Sequence, residues 1–147
     1  MSEDHKQKIS EKRTQNWIEG KYDHLKMAWA KGKYFFQKAD KEVYYRSSWE
    51  LKFMQYLDGQ DDVLRCEYEL LRIPYYDTMN KKRHYIPDIM VNYIDNNKIL
   101  YEIKPILHTD SEINKLKFTA AKIYCEQNSI QFKVMTQKEF KVLGIII

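Results

Sequence analysis

Apolar residues fall at helical spacing in SSWELKFMQYLDG, where Trp49, Phe53 and Leu57 line one face, and the pattern predicts a helix with Ser47 as N-cap and Gly59 as its stop. The period then changes. VLRCEYELLRIPYY (63–76) is apolar and strand-like, DTMNKKRH (77–84) reads as a basic turn, and residues 85–94 and 98–104 read as a hairpin around Asp95, Asn96 and Asn97. Helical spacing returns over 111–127 through Ile113, Leu116, Ala120, Ile123 and Tyr124. IQFKVMT then reads as a short strand, and KEFKVLGIII closes the chain. The order helix, three strands, helix, strand predicts an α/β fold, a mixed β-sheet flanked by helices.

Residues 1–36 break this pattern, being polar, basic and internally repetitive. NWIEGKY (16–22) recurs as AWAKGKY (28–34), and in each copy a helical stretch with one Trp is expected to stop at a Gly. Two short helices bury little, so the division expected is an amino-terminal arm over 1–36, ordered by DNA or by the body, and a folded domain over 37–147. Residues 1–33 hold eight Lys or Arg against five Asp or Glu, which is most of the +4 net charge of the chain. A basic arm on a near-neutral body suits a polyanionic partner, because Lys and Arg release counterions from phosphates; solvated surface charge is the alternative.

The two cysteines, Cys66 and Cys125, have neither disulfide-framework nor zinc-finger spacing, and no run nears the ~18 apolar residues of a membrane span. The amino terminus lacks the apolar stretch of a signal peptide. A soluble cytoplasmic protein is expected.

Three charged residues interrupt YIPDIMVNYIDNNKILYEIKP, the stretch from 85 to 105: Asp88, Glu102 and Lys104. Alternation puts Glu102 and Lys104 on one face of their strand and Ile99, Tyr101 and Ile103 on the other. A three-residue loop over Asp95–Asn97 would set Asp88 opposite Lys104, on the face of Glu102; a loop one residue shorter or longer would put it on the wrong face. Neighbouring carboxylates repel unless a cation lies between them. Mg²⁺, which takes one or two carboxylates with waters and phosphate oxygens, is the economical candidate. Lys104 would then serve a water or the phosphate. On spacing alone, a surface salt bridge remains open.

Pro87, Asp88, Glu102, Ile103 and Lys104 resemble the PD-(D/E)XK signature of metal-dependent nucleases. Together with YRSSWELKFMQYLD, IPYYD, RHYIPDIMV, YEIKP and KFTAAKIYCEQNSIQFKVMT, they are similar to the head-completion nucleases of tailed phages and, more distantly, to TnsA-like transposon endonucleases. The resemblance, over about 43–137, implies a restriction-endonuclease-like fold and a phosphodiesterase dependent on Mg²⁺, for which Mn²⁺ substitutes. It implies that Asp88, Glu102 and Glu50 bind metal, that Lys104 acts on the water or phosphate, and that Lys117 faces the phosphates. Glu50 also fits a capping box with Ser47, and Lys117 also reads as an exposed helical lysine.

The arm, SEDHKQKISEK followed by WIEGK, resembles the modular DNA-binding motif of homing endonucleases, which implies backbone contacts from Lys6, Lys8, Lys12, Arg13, Lys21 and Lys26. The combined expectation is a site-specific, double-strand DNA endonuclease of homing type, with a homodimer as the natural assembly for two strand cuts. A nuclease that trims packaged DNA ends is the second reading, and a non-catalytic DNA-binding module the third.

Overall fold

The computed structural model describes residues 31–147. The helices expected in the arm, and with them Lys6, Lys8, Lys12, Arg13, Lys21 and Lys26, lie outside the described residues. In chain order the elements are β1 (Gly32–Phe36), β2 (Lys41–Tyr45), α1 (Ser48–Asp58), β3 (Val63–Tyr68), β4 (Ile73–Tyr76), β5 (Lys82–Tyr85), β6 (Ile89–Tyr93), β7 (Lys98–Ile103), α2 (Glu112–Gln127), β8 (Gln131–Met135) and α3 (Gln137–Val142). The central sheet runs β3-β6-β7-β8. Its first two pairings are antiparallel and β7–β8 is parallel, with α2 as the crossover. This is the mixed sheet flanked by helices expected from the pattern.

Both faces of the sheet are covered. Tyr101 and Ile103 pack with Trp49, Phe53 and Phe140 on the α1 side, while Met90 and Leu100 pack with Phe118 and Ala121 of α2 on the other. Phe53 meets the Tyr101 ring edge-on at 4.9 Å, and Trp49 lies 6.0 Å from Phe140. Burying each such ring is worth about 1.5–3 kcal/mol. Helix α1 begins and ends where the sequence indicates, at Ser47 and Gly59. Cys66 and Cys125 are buried free thiols.

Several elements differ from expectation. Gly32 starts a strand where a helix end was expected, and any side chain there would strike the Tyr45 ring. Hairpin β1–β2 belongs to the body: Phe36 is fully buried in the core, and Asp58 of α1 accepts hydrogen bonds from the Tyr34 hydroxyl and, at 2.9 Å, from the Lys38 N–H. A boundary at residue 36 therefore cuts through this hairpin. The 63–76 run splits into β3 and β4 around Glu69, which has φ 51°. Part of the expected basic turn is strand β5, which pairs with β4 as a ribbon apart from the central sheet. Helix α2 buries Asn114, Phe118, Ala121 and Cys125, so the buried stripe is centred on Phe118; Ile113 and Ile123, assigned to it from spacing, are exposed.

The β6–β7 turn also moves by one residue. Ile89 pairs with Tyr101 and Asn92 with Lys98, and the Tyr93 N–H donates to the Asn97 carbonyl, so the loop is 94–96 and Asn96 takes the left-handed conformation with φ 72°. Each residue's partner shifts by two. Asp88 thus continues the register opposite Glu102, not Lys104, but an even shift keeps it on the expected face.

Candidate active site

Asp88 immediately precedes β6, behind Pro87, and its Oδ2 accepts the Ile103 N–H of β7 at 2.6 Å. Its own carbonyl accepts the Glu69 N–H at 2.8 Å, which ties the start of β6 to the end of β3. Glu102, on β7, is 6 % exposed. Lys104 follows the strand's last residue, and its Nζ lies 3.7 Å from Glu102 Oε1. The other oxygen, Oε2, is buried without a well-formed hydrogen bond, and so is the Tyr85 hydroxyl at the inner end of β5, which lies toward Glu102 and favours its ionised form.

Glu50 comes from the first turn of α1. Ser47 Oγ accepts the Glu50 N–H at 3.2 Å, as an N-cap does. The carboxylate does not complete a capping box. Glu50 Oε2 reaches past the cap to accept from the Arg46 N–H and the Tyr68 hydroxyl, each at 2.9 Å. The Tyr68 proton is shared, because the Tyr44 carbonyl lies 3.0 Å away. A cleft of about 470 Å³ opens here, lined by Arg46, Tyr68 and Glu69 and rimmed by Lys31 and Lys41.

The electrostatics are unbalanced. Burial raises the Asp88 carboxyl well above its usual range, and the charges of Glu102 and Glu50 push it further. Glu102 and Glu50 are raised as well, first by burial; the Tyr85 hydroxyl, Lys104 and Lys117 oppose the shift at Glu102, while at Glu50 the bonds from Arg46 and Tyr68 oppose it and the Glu69 charge adds to it. Lys117 stands 5.8 Å from the centre of the Tyr85 ring, half-buried beside the acids rather than on an open helix face. Three buried carboxylates faced by the ion-paired Lys104 and by Lys117 are not a surface salt bridge, whose charges balance and stay wet.

The structure thus gathers Asp88, Glu102, Lys104 and Lys117, with Glu50 close enough for its charge to raise Asp88. Among the described residues no set of three or more His, Cys, Asp or Glu side chains forms a cage for an ion, so Glu50 stands beside the Asp88–Glu102 pair without closing such a set. A pair suffices for Mg²⁺, which fills its remaining positions with water and phosphate oxygens, and Glu102 Oε2, held by no well-formed hydrogen bond, suits that use. Spacing did not reveal Tyr85 and Tyr68: Tyr85, expected to begin the hairpin strand, instead ends β5, and Tyr68 arrives from β3. The buried alternation of Cys66 and Tyr68 on β3 was the available signal for the latter.

Residues 60–137 match the family described as TnsA-like endonuclease N terminal. The chain is also 27 % identical over 127 residues to the head completion nuclease of Enterobacteria phage T4, a match covering 71 % of this chain and 85 % of that protein. Among the described residues no helix is long and apolar enough to cross a membrane. With a restriction-endonuclease-like sheet carrying this cluster of acids, and a family match spanning more than half its length, the chain belongs to the TnsA-like endonuclease N-terminal family and is a DNA endonuclease.

Proposed function

We propose that this endonuclease is divalent-metal-dependent and cuts both strands of duplex DNA at specific sites, as a homing enzyme does. The observation that carries the metal dependence is the buried Asp88–Glu102 pair, in which the charge of one acid raises the other and Glu102 Oε2 has no well-formed hydrogen bond. Asp88 and Glu102 hold the ion, Mg²⁺ or Mn²⁺ in its place, with Glu50 at its margin. When bound, such an ion neutralises phosphate charge and makes an attacking water more acidic. Lys104 holds the phosphate oxygen or the water against Glu102, and Lys117 with the arm lysines binds flanking phosphates. Ile103 fixes Asp88 through its N–H, so one acid is oriented before substrate arrives. The specific-site reading rests on the arm motif, and a homodimer in the bacterial cytoplasm would supply the two cuts.

Asp88→Ala and Lys104→Ala should each lower Mg²⁺-dependent cleavage on the order of 10²-fold or more while leaving duplex binding largely intact. Undiminished cutting by both variants sinks the assignment. The similarity to a head completion nuclease favours a second reading, trimming of DNA ends. Cutting a random duplex library and sequencing the ends separates the two: clustered ends support specific sites, scattered ends support trimming.

A further inference from the structure

The β4–β5 ribbon stands apart from the central sheet, and a lone two-stranded ribbon is marginally stable in water. Its inner face explains how it persists. Ile73, Tyr75 and Tyr85 are buried against α2, with the Tyr85 and Phe118 ring centres 6.4 Å apart. The outer face has no such role: Lys82 pairs across from Tyr76, which is 59 % exposed, and His84 from Pro74.

The tip is held rigid. Asp77 Oδ1 accepts the N–H groups of Met79 and Lys81, each at 2.9 Å, and Oδ2 accepts Arg83 Nε at 2.9 Å. The Asp77 N–H donates to the Lys81 carbonyl at 3.0 Å, and Asn80 makes the reversal with φ 59°. Asp77 thereby occupies the charge of Arg83. Lys81 and Lys82 are exposed, and neither pairs with an acid among the described residues. A stiff turn presenting two unpaired ammonium groups has already met the ordering cost of gripping a polyanion.

The base of the ribbon is at the acids. Tyr85 ends β5 with its hydroxyl buried toward Glu102, and only Ile86 and Pro87 separate it from Asp88. Even fully extended, the chain from Lys81 to Asp88 spans no more than about 25 Å. That is less than one turn of duplex, roughly 34 Å. A two-stranded ribbon also has the width to lie along a DNA groove.

We propose that the β4–β5 ribbon is a DNA-gripping arm of the nuclease body, in which Lys81 and Lys82 hold backbone phosphates within one helical turn of the bond at Asp88. This rests on duplex DNA being the substrate. The contact is to phosphate, so it adds affinity and register without choosing a sequence.

The test measures equilibrium binding of the full chain to a duplex of about three helical turns, in EDTA, between about 50 and 200 mM salt. Against wild type, the double variant Lys81→Ala/Lys82→Ala should lose on the order of 10-fold in affinity, and its log K against log salt slope should shallow by about 2. Met79→Ala, at the 79 % exposed residue of the same tip, should leave the slope unchanged. An unchanged slope in the double variant overturns the proposal; so does an equal loss in Met79→Ala, which would trace the effect to turn shape rather than charge, or a wild type that binds no duplex. Separate cleavage assays with Mg²⁺ and Mn²⁺ distinguish the two claims. A wild type that binds with the expected slope difference but never cuts leaves the ribbon standing and removes the metal-dependent reading.

Discussion

Two helices of this protein open with the same local pattern, a hydroxyl residue followed three positions later by Glu: Ser47 with Glu50 at α1, and Thr136 with Glu139 at α3. At α3 the pattern closes on itself. Glu139 Oε2 accepts the Thr136 N–H at 2.7 Å as well as the Thr136 hydroxyl. Burial opposes its ionisation, yet these two bonds, with its own N–H and the Lys133 charge, together outweigh burial and hold the carboxyl below its usual range. At α1 only half the box forms, and the Glu50 carboxylate, bound to Arg46 and Tyr68, is raised by burial instead. One glutamate serves to start a helix. The other is held near further carboxylates at a cost to folding, which the proposed catalytic role would account for.

The comparison predicts opposite responses to one substitution. Glu50→Gln keeps an acceptor for the Arg46 N–H and the Tyr68 hydroxyl but loses the charge; cleavage should fall on the order of 10²-fold with Tm unchanged or raised. Glu139→Gln should leave cleavage near wild type and lower stability by about 0.5–1 kcal/mol. Exchanged outcomes in paired cleavage and melting assays would break the distinction.

A smaller effect follows from protons. Folding tightens the hold of Asp88, Glu102 and Glu50 on their protons, so without metal these groups cost stability as pH rises from about 4 through their raised values. Glu139 runs the other way: its contribution is present above the usual glutamate range and lost as pH falls through its lowered value. Asp88→Asn should therefore raise the metal-free Tm at neutral pH, by about 2–4 °C for each kcal/mol relieved, and flatten its decline with pH. An unaltered melting profile would mean the acids do not burden one another. The smallest expected difference lies in the caps. Ser47→Ala should cost about 1 kcal/mol in denaturant unfolding and Thr136→Ala up to about 2, because only the second dismantles a reciprocal pair.

What the sequence disclosed depended on whether a side chain's role was local. Helix α1 was legible from Trp49, Phe53 and Leu57, and the shared face of Asp88 and Glu102 from strand parity, which survived a misplaced turn. Strand β5 was hidden because three of its four residues, Lys82, Arg83 and His84, are exposed, so it lacks an apolar signature. The α2 stripe was misjudged because the spacing was read through Ile113 and Ile123 instead of Phe118, the ring that packs near Tyr85 and Phe132. The long reach of Glu50 to Tyr68 had no local trace at all, since it depends on α1 and β3 meeting in space.

The bond from the Ile103 amide to Asp88 Oδ2 also makes the main chain a reporter on the site. That amide's nitrogen-15 resonance should shift when Asp88 gains a proton or engages a cation, so spectroscopy can follow occupancy at the acids with no substrate present and without altering a side chain.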